Sequence, residues 1–230
     1  MSNLNSDFVN PRIIDLSYCI HEGMTTFPVH WHPVVEITQL ARHGIENRET
    51  RKLTMGTHCG THIDAPRHFI PGGPTIEQIP LEWLVGPARV LNFTPITLPK
   101  QEFGVEDFKQ RLGDEKPERL ILRFDWSDQW GTMRYYNEHP YITEEAGHWL
   151  VERGVRVLAM DTPQVDSPDN GRTGPKDSPL HKIMLSAGVV FVEYCTNLRQ
   201  ISRPEVELVV LPLNILGSDG APARVIAIER

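Results

Sequence analysis

The chain has 230 residues, 40% of them hydrophobic and 23% charged, a composition that suits one globular domain over 1–230. Its formal charge is −7 with no run of Lys and Arg to set against phosphates, so nucleic acid is not an expected partner. The polar stretch Met1–Pro11 lacks a basic start followed by an apolar run, and the 3 cysteines stand at wide spacings. Neither a signal peptide, a membrane span nor a disulfide framework is expected, and a cytoplasmic protein with reduced thiols is.

In chain order, β-branched runs predict strands at Arg12–Leu16, Val34–Leu40 and Arg89–Phe93. An amphipathic helix at Val105–Leu112 precedes a strand at Arg119–Phe124. The helix Thr143–Arg153 has Thr143 as its cap, Glu144 and Glu145 in its first turn, and Gly154 at its end. A strand follows at Val155–Asp161, then a helix at Ser178–Ala187 with Pro179 in its first position. Strands at Val189–Tyr194, Glu207–Leu213 and Arg224–Ile228 complete the series. Strand and helix alternate through the second half, which predicts an α/β domain with a mixed sheet and flanking helices. Asp161 ends a nearly all-apolar run. It either reaches a ligand crevice at the carboxyl end of the sheet or opens the turn Asp-Thr-Pro.

The segment from Thr57 to Phe69 is the most informative, with His58, His62, Asp64 and His68 all at even positions. A straight strand would hold His58 and His62 about 13 Å apart at roughly 3.3 Å per residue, too far for one ion bound at about 2.1 Å. The chain must bend, and Gly60 is the residue able to take the required dihedrals. Two imidazoles and one carboxylate then converge, a three-ligand set with room left for water, as in catalytic rather than structural zinc sites. Cys59 faces the other way in the alternation. A second, weaker cluster pairs His181, on the predicted third helix, with Glu193, a carboxylate inside an otherwise apolar strand. Such a carboxylate is costly unless paired or metal-bound. Asp125, Asp128, His139 and His148 stay ambiguous, and His30 and His32 flank Trp31 as candidate pocket residues.

The string His58-Cys-Gly-Thr-His62-Ile-Asp64-Ala-Pro66-Arg-His68-Phe69 resembles the signature of the cyclase-like metal hydrolases, the family of bacterial kynurenine formamidase and isatin hydrolase. Supporting stretches are Ile14–Ser17, Met160–Pro163, His181 with Glu193, and Asp219–Arg224. The resemblance implies a swivelling β/α/β fold and a homo-oligomer, usually a homodimer or larger. It assigns His58, His62 and Asp64 to a first metal, and in two-metal members Asp64 bridges to a second one held also by His181 and Glu193. It makes His68 the catalytic acid–base, with zinc or manganese as the divalent metal, one or two per subunit. Kynurenine formamidases of this type tend to carry Pro-Gly-Asp-Thr-Pro near the N-terminus, where this chain has Thr26-Phe27-Pro28-Val29-His30-Trp31. That difference, and the aromatic segment Trp126–Tyr136, would reshape the substrate pocket. Phe27, Trp31 and Trp126 are the candidate substrate-binding residues, with Trp130 beside them.

The expected reaction is attack of metal-activated water on a small amide, His68 taking and returning the proton. Two alternatives stand beside it. One is a metal-dependent cyclase or lyase, in which His68 moves protons without hydrolysis. The other is a non-catalytic metal-binding module, which would have no need of His68.

Overall fold

The computed structural model describes residues 11–230, so the stretch Met1–Pro11 lies, apart from Pro11, outside the described residues. Strand β1 is Arg12–Asp15, followed by a hairpin of β2 (Glu36–Ala41) and β3 (Thr50–Thr54) and by the short β4 (His62–Asp64). Helix α1 (Leu81–Leu84) leads into β5 (Val85–Asn92), β6 (Glu102–Phe103), α2 (Val105–Leu112) and β7 (Arg119–Arg123). Then come α3 (Met133–Asn137), β8 (Tyr141–Ile142), α4 (Glu144–Glu152) and β9 (Val157–Met160). The chain finishes with α5 (Pro179–Ser186), β10 (Val190–Glu193), β11 (Glu205–Pro212) and β12 (Gly220–Glu229).

The principal sheet runs β1-β12-β11-β5-β7-β9-β10-β4, and β4 also pairs with β12, which closes the sheet into a barrel. The β5, β7, β9 and β10 neighbours are parallel; the other pairings are antiparallel. This is the mixed-sheet α/β architecture expected from the alternation of elements, with a closure that the strand pattern does not reveal.

Strand periodicity explains the two cores. Ile63, Ile121, Val157, Ala159, Val190, Val192, Leu208 and Val225 point inward and fill the barrel. Their sequence neighbours Leu120, Leu122, Leu158, Met160 and Phe191 point outward and are covered by α2, α4 and α5 through Phe108, Leu150 and Leu180. Strands buried on both faces read as unbroken apolar runs, which is why β7, β9 and β10 are so plain in the sequence. Thr143 caps α4 by accepting the Ala146 N–H, as its position predicts. The close α4–α5 crossing depends on Gly147, where an added Cβ would fall 2.1 Å from Leu180 Cδ1.

Two of the elements that the sequence does not mark have clear physical reasons. Strand β3, Thr-Arg-Lys-Leu-Thr, is exposed throughout and pairs only with β2, so no apolar face marks it. Strand β4 is three residues long, and its pairing with β10 and β12 makes a strand of what local reasoning takes as loop. Among the described residues no helix is long and apolar enough to cross a membrane.

Candidate metal centre

The site begins at the bend. Gly60 has φ +58°, and its carbonyl accepts a hydrogen bond from His62 Nδ1 at 2.8 Å. The bend reverses the approach of the chain, so that His58 folds back over the strand holding His62 and Asp64. Within β4, Ile63 enters the barrel while His62 and Asp64 face outward. Antiparallel register sets Glu193 directly opposite His62, and α5 carries His181 over the same spot.

Asp64 is the hub, with its two oxygens serving different neighbours. Oδ1 lies 2.7 Å from His58 Nδ1 and 3.1 Å from His62 Nε2; Oδ2 lies 3.5 Å from His181 Nε2. Glu193 spans the gap, with Oε2 at 3.7 Å from His62 Nε2 and Oε1 at 3.4 Å from His181 Nε2. All five side chains are buried. Donor atoms close enough to share one ion form two overlapping groups, His58–Asp64–His68 and His62–Asp64–Glu193.

Each imidazole that faces Asp64 has its outer nitrogen tied to an acceptor. His62 gives Nδ1–H to Gly60 O, and His181 gives Nδ1–H to Asp166 at 2.6 Å. Asp166 also accepts the Leu180 and His181 backbone N–H groups, which anchors the start of α5. His58 Nε2 lies 2.8 Å from Asp219 Oδ2. These outer bonds make His62 Nε2, His181 Nε2 and His58 Nδ1 the atoms that would face an ion, the arrangement in which carboxylates and carbonyls set the tautomer of metal-binding histidines. His68 stacks on His58 with ring centroids 3.9 Å apart and bonds to the same Asp219 oxygen through Nδ1 at 3.0 Å. Its Nε2 has no protein partner among the described residues.

The electrostatics call for a cation. Buried Glu193 Oε1 has no well-directed hydrogen-bond donor. Burial, reinforced by the Asp64 charge, holds the Glu193 carboxyl above its usual range. Burial alone would lower the His58 imidazolium, but Asp64 and Asp219 on its two nitrogens outweigh it and push it up to about 10. Burial likewise opposes the His181 charge, and Asp166, Asp64 and Glu193 overcome it. Burial would raise the Asp64 carboxyl too, yet the facing imidazoles hold it well below the carboxylate range. Protons thus occupy the place that a divalent ion suits, and nitrogen and oxygen donors without a thiolate fit zinc or manganese. Cys59 packs away from the centre, against Met24 and Val35.

A cleft opens onto this cluster. Phe27, Val29, Trp31, His32, Phe69, Pro163, Gln164, Arg172 and Ser178 line it. Burial, followed by the neighbouring His58, His62 and His68, lowers His32 to about 4. His30 does not line the cleft.

Trp126 does not line it either, which corrects the sequence expectation. Its ring is buried in the outer core, and its indole N–H donates to Tyr135 O at 3.0 Å. Trp130 stacks on Tyr18 at 4.2 Å, also outside the cleft. Asp161 is fully buried and accepts the Phe124 and Trp126 backbone N–H groups, so it organises the turn after β7 instead of the centre. Burial and then the Asp125 charge raise it to about 7 against those two bonds. Asp125 and Asp128 pair with Arg123 and Arg199 on the surface side, and His139 is buried with Nε2 bonded to Asp166 O. Three polar residues of the centre escape sequence reasoning: Asp166, Asp219 and Arg172. Only Asp219 carries a signal, by standing in the Asp-Gly-Ala-Pro string.

Residues 14–167 match the model of the Cyclase family, described as "Putative cyclase". A kynurenine formamidase from Bacillus cytotoxicus is 31% identical over 175 residues, 76% of this chain and 78% of that one. Isatin hydrolase A from Labrenzia aggregata, solved with benzyl benzoate, superposes with a TM-score of 0.84 at 25% identity over 95% of this chain and 94% of that one. A structure described as a potential metal-dependent hydrolase with cyclase activity gives a TM-score of 0.74 at 26% identity, covering 96% and 98%. The chain belongs to the cyclase family.

Proposed function

We propose that this member of the cyclase family is a metal-dependent hydrolase of a small amide, an arylformamidase or a hydrolase of a cyclic amide such as isatin. The observation that carries the reading is that His58 Nδ1 and His62 Nε2 both reach Asp64 Oδ1 beneath a cleft, at 2.7 and 3.1 Å, with the outer nitrogen of each imidazole already held by an acceptor. The kynurenine formamidase and isatin hydrolase relatives point to amide carbonyls as the bond class attacked.

His58, His62 and Asp64 would hold the first divalent ion, and Asp64, His181 and Glu193 a second. The ion would be zinc or manganese, with one held tightly and the second position weaker, because that set contributes more oxygen and less nitrogen. When bound, it supplies Lewis acidity, lowering the pKa of water toward neutrality and polarising the carbonyl. The remaining work falls to the chain. Asp219 accepts Nδ1–H of His68 and so leaves Nε2 as the basic atom; this nitrogen takes the proton of the attacking water and returns it to the departing nitrogen. Stacking on His58 fixes the ring beside the ligands. The aromatic wall of Phe27, Trp31 and Phe69 orients an aryl substrate and keeps bulk water out.

We read the chain as one cytoplasmic domain over 1–230 that works as a homodimer or larger homo-oligomer. The three cysteines, all free, support the compartment. The β2–β3 hairpin supports the assembly: a two-stranded ribbon is marginally stable alone, and this one leaves Leu40 and Leu53 exposed.

Hydrolysis of N-formylkynurenine, isatin and cyclic imides by zinc- or manganese-loaded protein in ¹⁸O-labelled water tests the activity. Label in the product is expected. Turnover without incorporation would establish the cyclase or lyase alternative, and no turnover with bound metal would favour a binding module.

A further inference from the structure

We infer that the substrate carries an anionic group, a carboxylate in the simplest case, and that Arg172 at the rim of the cleft recognises it. The inference deepens the amide-hydrolase reading and rests on it for the position of the scissile bond.

Arg172 is the one Lys or Arg among the residues lining the cleft. It is also pre-set. Nη1 donates to Pro28 O at 3.1 Å, Nη2 reaches Asn137 Oδ1 at 3.5 Å, and the guanidinium lies over the Phe27 ring at 4.9 Å. These contacts fix the plane of the group without neutralising it. Among the described residues no carboxylate lies within salt-bridge distance of Arg172. The nearby acids are otherwise engaged, Asp169 with Lys100 and Asp177 with the Ser178 hydroxyl. A guanidinium has five N–H donors, and the two contacts above use two, leaving enough for a bidentate carboxylate.

Charge makes the placement informative. The chain carries a net −7, which disfavours approach of an anion, and the floor of the cleft holds Asp64 and Glu193. A site for neutral amides has no use for a fixed cation at its rim. The cleft therefore grades from a metal-binding floor, past an aromatic wall of Phe27, Trp31 and Phe69, to a cation at the mouth. An aryl amide with an anionic tail matches that order.

The test uses isosteric pairs on the metal-loaded full chain. One pair is 4-(2-formamidophenyl)-4-oxobutanoate and its terminal carboxamide, compared by kcat/KM. The other is 4-oxo-4-phenylbutanoate and its carboxamide, which lack the scissile formamide and are compared by calorimetry. The parent is expected to prefer the acid in each pair by about tenfold to a hundredfold, the range of a charge-assisted bidentate contact. In Arg172→Gln the preference should collapse to about one, and Arg172→Lys should restore part of it. Equal treatment of acid and carboxamide by the parent, or a preference that survives in Arg172→Gln, would overturn the inference. Failure of the parent to cleave either formamide, with the calorimetric preference intact and lost in Arg172→Gln, would sink the hydrolase reading and leave the anion site standing.

Discussion

Replacing Asp219 by asparagine probes the centre where it is most economical. One carboxylate oxygen takes both His58 Nε2, at 2.8 Å, and His68 Nδ1, at 3.0 Å, while the other accepts the Thr57 hydroxyl at 3.1 Å. Burial works against this carboxylate, but the bonds from His58 and His68 hold it well below the usual range. Asparagine keeps the shape, loses the charge and turns one acceptor into a donor, so either Thr57 or the two imidazoles lose their partner. A charge-assisted bond contributes about 1.5–3 kcal/mol, and the lower end applies to a side chain 36% exposed. About 1.5–2 kcal/mol corresponds to roughly tenfold to thirtyfold, within the range for residues that orient metal ligands. Metal affinity, measured by competition with a chelator, should fall by that factor in Asp219→Asn. Turnover should fall further, because His68 loses its fixed tautomer as well. The nitrogen chemical shifts of His68 should move from an Nδ1–H form toward a mixture of tautomers. Parent-like affinity together with an unchanged His68 tautomer would refute the reasoning.

The other predictions separate ligands from the rest. His62→Ala should lose both metal and turnover, whereas His68→Ala should retain metal and lose about 10²–10⁴ in rate. Elemental analysis decides the second case: metal lost with activity would make His68 a ligand, as its grouping with His58 and Asp64 permits. Gly220→Ala should displace His58, since the added Cβ would lie 2.7 Å from Ile63 O and 2.9 Å from His58 Cε1, and the paired strand cannot retreat. A loss of about 1–3 kcal/mol in denaturant stability and weaker metal binding are expected; parent-like values for both would show that the approach is looser than it looks. His139 supplies a pH test. Burial lowers its pKa from 6.5 to about 4, so the unfolded chain takes the proton first. Stability from neutral His139 is complete above about pH 6.5 and is lost as pH falls toward 4, at most about 3 kcal/mol. His139→Gln should flatten that loss in denaturant titrations at pH 7 and 4.5, and an unaltered difference between the two would clear His139 of the role.

Most of the framework is legible from the sequence where burial imposes period. Strands β7, β9 and β10 are buried on both faces, and their apolar runs give their positions to within a residue or two. Helices α4 and α5 are bounded by Thr143 and Pro179 as the residues predict. Barrel closure is not legible, because it depends on three residues, His62–Asp64, that pair with β10 and β12 from far along the chain. The polar partners that aim the histidines are hidden for the same reason. Asp219 stands 161 residues from His58 and Asp166 stands 15 from His181, at no recurring local spacing. Trp126 misleads because an aromatic residue beside a loop has the same sequence appearance whether its ring faces a cleft or a core.

Glu193 and Asp161 show where residue chemistry stops and topology takes over. Asp161 ends an apolar run and Glu193 interrupts one, each is buried, and burial raises the carboxyl of each. In the sequence Glu193 carries the inference that such a carboxylate must have a partner, and Asp161 the choice between a ligand crevice and a turn. The partners differ in kind. Asp161 meets two backbone N–H groups of the turn after β7, which satisfy it with no further group required. Glu193 lies opposite His62 across the β4–β10 pair and keeps a buried oxygen without a directed donor. Parallel β7 ends next to β9 and offers its turn amides; antiparallel β4 begins opposite the end of β10 and offers an imidazole. Strand order within the sheet, rather than the carboxylate itself, makes one residue a structural clasp and the other a candidate metal ligand.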